Sequence, residues 1–123
     1  MTPFTTDFSV HQTFGIPAPA AVQVPGYEHP GPLTPVGHPD YRFRPALLSD
    51  LLAWHQGLAR GQHHDGLWLT GPMGAGKSSL VVETAARLNL TLVQVNAGGG
   101  WSWPIWSAIS PPSAATCCSR TAR

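Results

Sequence analysis

The run Gly71-Pro72-Met73-Gly74-Ala75-Gly76-Lys77-Ser78-Ser79 contains the pattern G-x-x-x-x-G-K-[ST]. Its chemistry is that of holding phosphate. Glycines at 71, 74 and 76 permit backbone angles that side chains forbid, and they let the chain approach an anion closely. Successive amide N–H groups then converge into a nest. A helix that follows adds the positive end of its dipole. In that geometry Lys77 reaches the β- and γ-phosphates of a nucleoside triphosphate, and Ser78 ligates Mg²⁺. An ordinary glycine turn would leave the Lys-Ser pair after the third glycine unexplained. The predicted phosphate-contacting set is Gly71, Pro72, Met73, Gly74, Ala75, Gly76, Lys77, Ser78 and Ser79, with Ser78 as the metal ligand.

Other chemistry-bearing residues are weaker candidates. His63 and His64 precede Asp65 in a polar stretch. Three such groups could hold a metal, but a solvated loop accounts for them with fewer assumptions. His11, His29 and His38 are scattered and read as solvated. Trp54 reads as core or partner packing. Tyr41 and Phe43 admit two readings, core anchors or walls flanking a nucleotide base. Cys117 and Cys118 are adjacent, with no second pair to complete a zinc site.

The elements that must position the loop follow from periodicity. "PALLSDLLAWHQGLARG" places Leu47, Leu48, Leu51, Leu52 and Leu58 in a helical stripe. Pro45 suits the first helical position and Gly61 the stop. "GLWLT", Gly66 to Thr70, predicts a buried strand entering the loop. "KSSLVVETAARL" predicts a helix leaving it, with Leu80, Val81, Ala85 and Leu88 on one face. On the same helix, Glu83 and Arg87 are spaced as an i, i+4 ion pair. "TLVQVNA", Thr91 to Ala97, predicts a second strand. Helix, strand, loop, helix and strand together predict an α/β fold: a partial P-loop core whose short parallel sheet is flanked by helices. So small a sheet is expected to be marginal alone.

Residues 1–44 predict an extended proline-rich arm. Nine of the thirteen prolines fall before Ala46. Between Ile16 and Pro45 they exclude a helix, because each removes a donor and biases its predecessor away from helical angles. The stretch is too apolar for a solvated linker and should lie across its own domain or a neighbour. Residues 45–100 form the predicted loop-bearing unit. Residues 101–123 predict an irregular tail that holds three of the five tryptophans.

Bulk composition limits the function classes. The 123 residues suffice for one small domain. Seven Lys+Arg against six Asp+Glu give a net charge of +1, which argues against a nucleic-acid-binding surface. Charged residues make up 11% of the chain, below the roughly 25% usual in soluble domains, pointing to a surface that is either sticky or normally covered by a partner. The start "MTPFTTDFSV" has no signal-peptide pattern, and no apolar run approaches the ~18 residues of a membrane span. The expected compartment is the cytoplasm, with no membrane partner.

"FGIP", the proline-rich arm, "HPDYRFRPALLSDLLA" and "LWLTGPMGAGKSSLVVETAARLNLTLVQVNAGG" together resemble the start of AAA+ ATPases of the MoxR and cobaltochelatase CobS-like group. The likeness runs from about Asp7 to Gly100. It implies ATP and Mg²⁺ as cofactors. It also implies a homo-oligomeric ring that couples ATP hydrolysis to remodelling of a protein partner. The group's pattern includes an acidic motif on a later strand, whose Asp supports the Mg²⁺ shell and whose Glu orients water. After Lys77 this chain has one carboxylate side chain, Glu83. The expectation is ATP binding without independent hydrolysis. The alternatives are a small P-loop kinase or a non-catalytic partner-binding module.

The tail departs from the resemblance, and the genetic code suggests a reason. Reading one base earlier from Trp101, codons compatible with "WSWPIWSAISPPSAATCCSRTA" permit "ELADLVGHLTPIRGDLLFQDGP". The tryptophan codon is unique, so Trp103 followed by proline forces an alanine in the shifted frame. An acidic-leucine stretch is what the resemblance predicts after the second strand. Residues 101–123 are therefore expected to be frameshifted, with a tryptophan-rich docking patch as the alternative.

Overall fold

The computed structural model describes residues 3–95. They form a small α/β fold: β1 (Thr6–Ser9), α1 (Val10–Phe14), β2 (Gln23–Gly26), α2 (Pro45–Ala59) and α3 (Lys77–Arg87). β1 and β2 pair antiparallel, Phe8 opposite Val24 and Asp7 opposite Pro25. Val10 N–H donates to Val22 O and continues that register. By the same parity Pro25 falls at a non-bonded position, so its missing N–H costs the ladder nothing. The outer edge of β2 is covered by α2, where His55 Nε2 lies 2.8 Å from Pro25 O and Gln56 Nε2 donates to Gln23 O. An edge capped in this way offers no template to another strand.

α2 begins at the predicted proline, which occupies the first helical turn. It ends in a Schellman motif: Gly61 is left-handed at φ 69°, its N–H donates to Leu58 O, and Gln62 N–H donates to Gly57 O. The buried stripe is Leu48, Leu51, Leu52 and His55. The i, i+3, i+4, i+7 pattern thus holds, but it runs through His55 rather than Leu58, and Leu47 is half exposed. α3 ends in the same motif with Asn89 at φ 54° in the left-handed position. There Leu90 N–H donates to Ala85 O and Asn89 N–H to Ala86 O.

The core draws on the arm as much as on the helices. Val10, Phe14, Ile16, Val24 and Phe43 pack with Leu48, Leu51, Leu52, Leu80 and Leu88. The arm therefore lies across its own domain, one of the two expected placements. From 16 to 44 it is non-helical, as its prolines require. The hairpin strands and the single turn of α1 were not legible in it.

The expected parallel sheet is not formed among the described residues. The one sheet there is antiparallel and belongs to the arm. Residues 66–70 alternate half-buried and exposed, as a strand would, yet carry no ladder. Residues 91–95 are not a strand either; Leu92 N–H donates instead to Leu33 O in the arm. A strand exists only with a partner, and these two segments do not partner one another. The end of the second predicted strand and the tail, 101–123, lie outside the described residues.

Candidate phosphate-binding site

The predicted loop leads directly into α3, whose first residue is Lys77. Gly74 and Gly76 have φ of 74° and 83°, left-handed angles that favour glycine over any side chain. No neighbouring atom lies within 4 Å of a Cβ built at either position. Conformation rather than crowding therefore demands these glycines. Gly76 is the N-cap residue, and Leu80 N–H donates to its carbonyl at 2.9 Å, opening the helical ladder. The passage from left-handed Gly76 into right-handed α3 is the succession that aims consecutive amides toward one point.

The loop is exposed from Gly71 to Gly76, and Met73 at its apex is 89% exposed. Ser78 and Ser79 are exposed on the first turn. Lys77 is half-buried and folds back over the loop. Its Nζ donates to Gly71 O and Pro72 O, both at 2.8 Å. The ammonium is thereby held at the start of the loop, and its position does not depend on a carboxylate. Ala75 N–H closes a turn onto Pro72 O at 3.3 Å. All nine predicted residues are thus contiguous on one exposed feature.

The donor set fits a phosphate-borne Mg²⁺. That ion takes one or two protein oxygens and completes its octahedron with phosphate and water, and an exposed Ser78 hydroxyl on the first turn is a donor of that kind. Among the described residues there is no group of three or more His, Cys, Asp or Glu able to hold a metal by itself. The alternative metal site at His63, His64 and Asp65 is accordingly not assembled. His63 packs its ring near Trp54, with centroids 6.5 Å apart, and Trp54 Nε1 donates to Asp65 O.

Phe43 is buried, edge-on to Phe14 at 5.0 Å and to Tyr41 at 4.9 Å. Of the two readings for Tyr41 and Phe43, the structure takes core anchors. His11, His29 and His38 are exposed, although His11 Nδ1 lies 2.8 Å from Ile16 O. An open cavity of about 820 Å³ between the hairpin and the end of α2, lined by Phe4, Asp7, Val22, Gln56 and Arg60, contains none of the loop residues.

Three residues carry roles that sequence reasoning missed. Glu83 is buried and does not pair with Arg87 as expected. Both of its oxygens accept the His38 N–H, at 2.9 and 3.0 Å, while Arg87 donates to His38 O at 3.5 Å. Asn89 donates from Nδ2 to Tyr27 O and Glu28 O. His55 is buried, and desolvation lowers its pKa from the ordinary 6.5, partly offset by the Pro25 carbonyl. A helix-terminal Asn was the one available signal. The partners of Glu83 and His55 are backbone groups, which leave no mark in a sequence. No protein-family model, curated protein or solved structure matches the chain.

Proposed function

We propose that the chain binds Mg²⁺-ATP through Gly71–Ser79 and, with the residues it carries, turns it over no faster than background. The observation that carries the reading is the placement of Lys77. Its ammonium is anchored by Gly71 O and Pro72 O beside two left-handed glycines, at the foot of an 11-residue helix. A cation, a run of amides and a helix N-terminus on one exposed loop are complementary to a polyphosphate. Mg²⁺ bound with the nucleotide supplies charge neutralisation at the phosphates; Ser78 is the residue that would hold it.

Weak turnover follows from the carboxylates. The only one after Lys77 is Glu83, and its oxygens are engaged by the His38 N–H. The AAA+ assignment rests on the quoted motifs and extends the proposal to a homo-oligomeric ring acting on a protein partner in the cytoplasm. Exposed Trp68 and Met73 favour a second reading, a surface that a protein partner covers without nucleotide.

Competition between ATP and GTP for the purified chain, with and without Mg²⁺ and with turnover measured alongside, tests the proposal. Saturable Mg²⁺-dependent ATP binding with background phosphate release is expected. Steady hydrolysis abolished by Lys77→Ala would refute the argument from carboxylates. Phosphoryl transfer to an acceptor would favour a P-loop kinase, and no nucleotide binding at all would leave the partner-binding module.

A further inference from the structure

We propose that Glu83 is a positioning residue for the phosphate loop, acting by latching the arm segment 26–41 onto α3. The affinity part of this inference rests on the nucleotide reading above; the latch itself does not. The contacts run along the helix. At its middle, Glu83 accepts the His38 N–H with both oxygens, and Arg87 donates to the carbonyl of the same residue. At its end, Tyr27 N–H donates to Leu88 O, Asn89 Nδ2 donates to Tyr27 O, and Thr34 Oγ1 donates to Asn89 O at 3.4 Å. The approach at the latch is close: a Cβ at Gly37 would lie 3.0 Å from Ala86 Cβ and 3.1 Å from Glu83 Oε2. Glycine at 37 is what lets the arm lie down on the carboxylate.

The consequence for the loop is thermodynamic. A helix of 11 residues is marginal in water without tertiary support. Segments 66–70 and 91–95 form no ladder that could supply that support. α3 is held by the burial of Leu80, Ala85 and Leu88 and, along its other side chains, by the arm contacts. The passage from left-handed Gly76 into the first turn exists only if α3 is formed, and Lys77 lies six residues, about 9 Å along the axis, from the latch. Anything that binds the loop in its helix-linked form must then tighten the arm, and loosening the arm must weaken that ligand by the same factor. A buried carboxylate spent on a backbone amide is also costly to leave unpaired, so the latch is either fully made or lost.

Amide hydrogen exchange on the full chain, with and without Mg²⁺-ATP, tests this with two variants that attack the latch from opposite sides. Glu83→Gln keeps one acceptor oxygen; Gly37→Ala keeps the carboxylate and pushes the arm away. The α2 amides serve as the internal reference for global folding. Both variants are expected to raise exchange at residues 80–82, the first α3 amides with helical acceptors, while α2 keeps its protection. Mg²⁺-ATP is expected to slow exchange of the His38 amide in the wild type. Both variants should weaken ATP roughly five- to tenfold, and the double variant no more than the worse single one. Unchanged exchange at 80–82 in both variants overturns the latch, whether or not ATP binds. If ATP fails to bind the wild type, the functional reading falls, and the exchange at 80–82 still decides the latch. ATP binding that leaves His38 exchange and variant affinities unmoved overturns the coupling.

Discussion

At the scale of single residues, two buried positions make separable predictions. Gly26 sits where the arm meets the end of α3. A Cβ there would lie 2.6 Å from Leu88 O and 2.8 Å from the Phe8 ring. One of these neighbours is backbone and cannot yield cheaply, so Gly26→Ala should destabilise the fold by about 2–3 kcal/mol. Urea unfolding reads this as a lowered midpoint at unchanged slope; a midpoint within error of wild type would mean that β2 does not approach α3 so closely. His55 predicts a pH dependence. Its folded-state pKa lies below the ordinary 6.5, so between the two values the unfolded chain binds more protons. Stability from His55 is therefore complete above pH 6.5 and declines as pH falls below it. The loss between about pH 7.5 and 5.5 should be larger in wild type than in His55→Gln, a difference that cancels the exposed histidines. Equal losses would count against burial as the dominant influence on that ring.

At the scale of elements, α2 and α3 were legible because their signals are local. Pro45 and Gly61 punctuate α2, and the stripe through Leu48, Leu51 and Leu52 repeats at helical spacing within it. The loop was legible for the same reason: its glycines, lysine and serine are contiguous. The strands were not, because pairing is a long-range property. Residues 66–70 and 91–95 have strand-like composition, but they lack a ladder among the described residues, while the proline-bearing arm supplies both strands of the hairpin. Prolines at 17, 19 and 25 concealed that hairpin; its register tolerates Pro25 only because the residue faces away from β1. Asn89 shows how a cap and a tertiary contact combine. Asn89→Gly retains the left-handed position but loses the bonds to Tyr27 O and Glu28 O, whereas Asn89→Ala loses both. The alanine variant should cost about 1–2 kcal/mol and the glycine variant less, read by thermal unfolding. If glycine proves the more damaging, the cap conformation is not what selects asparagine.

At the scale of the whole molecule, the arm is part of the domain. Val10, Phe14, Ile16 and Val24 contribute four of the ten buried residues of the core cluster. Removing residues 1–26 would strip those four side chains from a core otherwise made of Phe43, Leu48, Leu51, Leu52, Leu80 and Leu88, and no cooperative unfolding transition should survive; retention of a sharp transition would show that the helices form a core without the arm. The same architecture places an exposed loop at one end of a helix that is held by Leu80 and Leu88 in the core and by hydrogen bonds to the arm. That arrangement leaves the loop exposed, with its lysine already anchored, for the polyphosphate we propose it binds. The most direct test is calorimetric titration of the purified chain with Mg²⁺-ATP, in parallel with Lys77→Ala. Saturable binding that the substitution weakens about tenfold or more is predicted, as removal of a charged hydrogen-bond donor requires. Binding of equal strength in both proteins, or none in the wild type, would contradict the assignment of the loop.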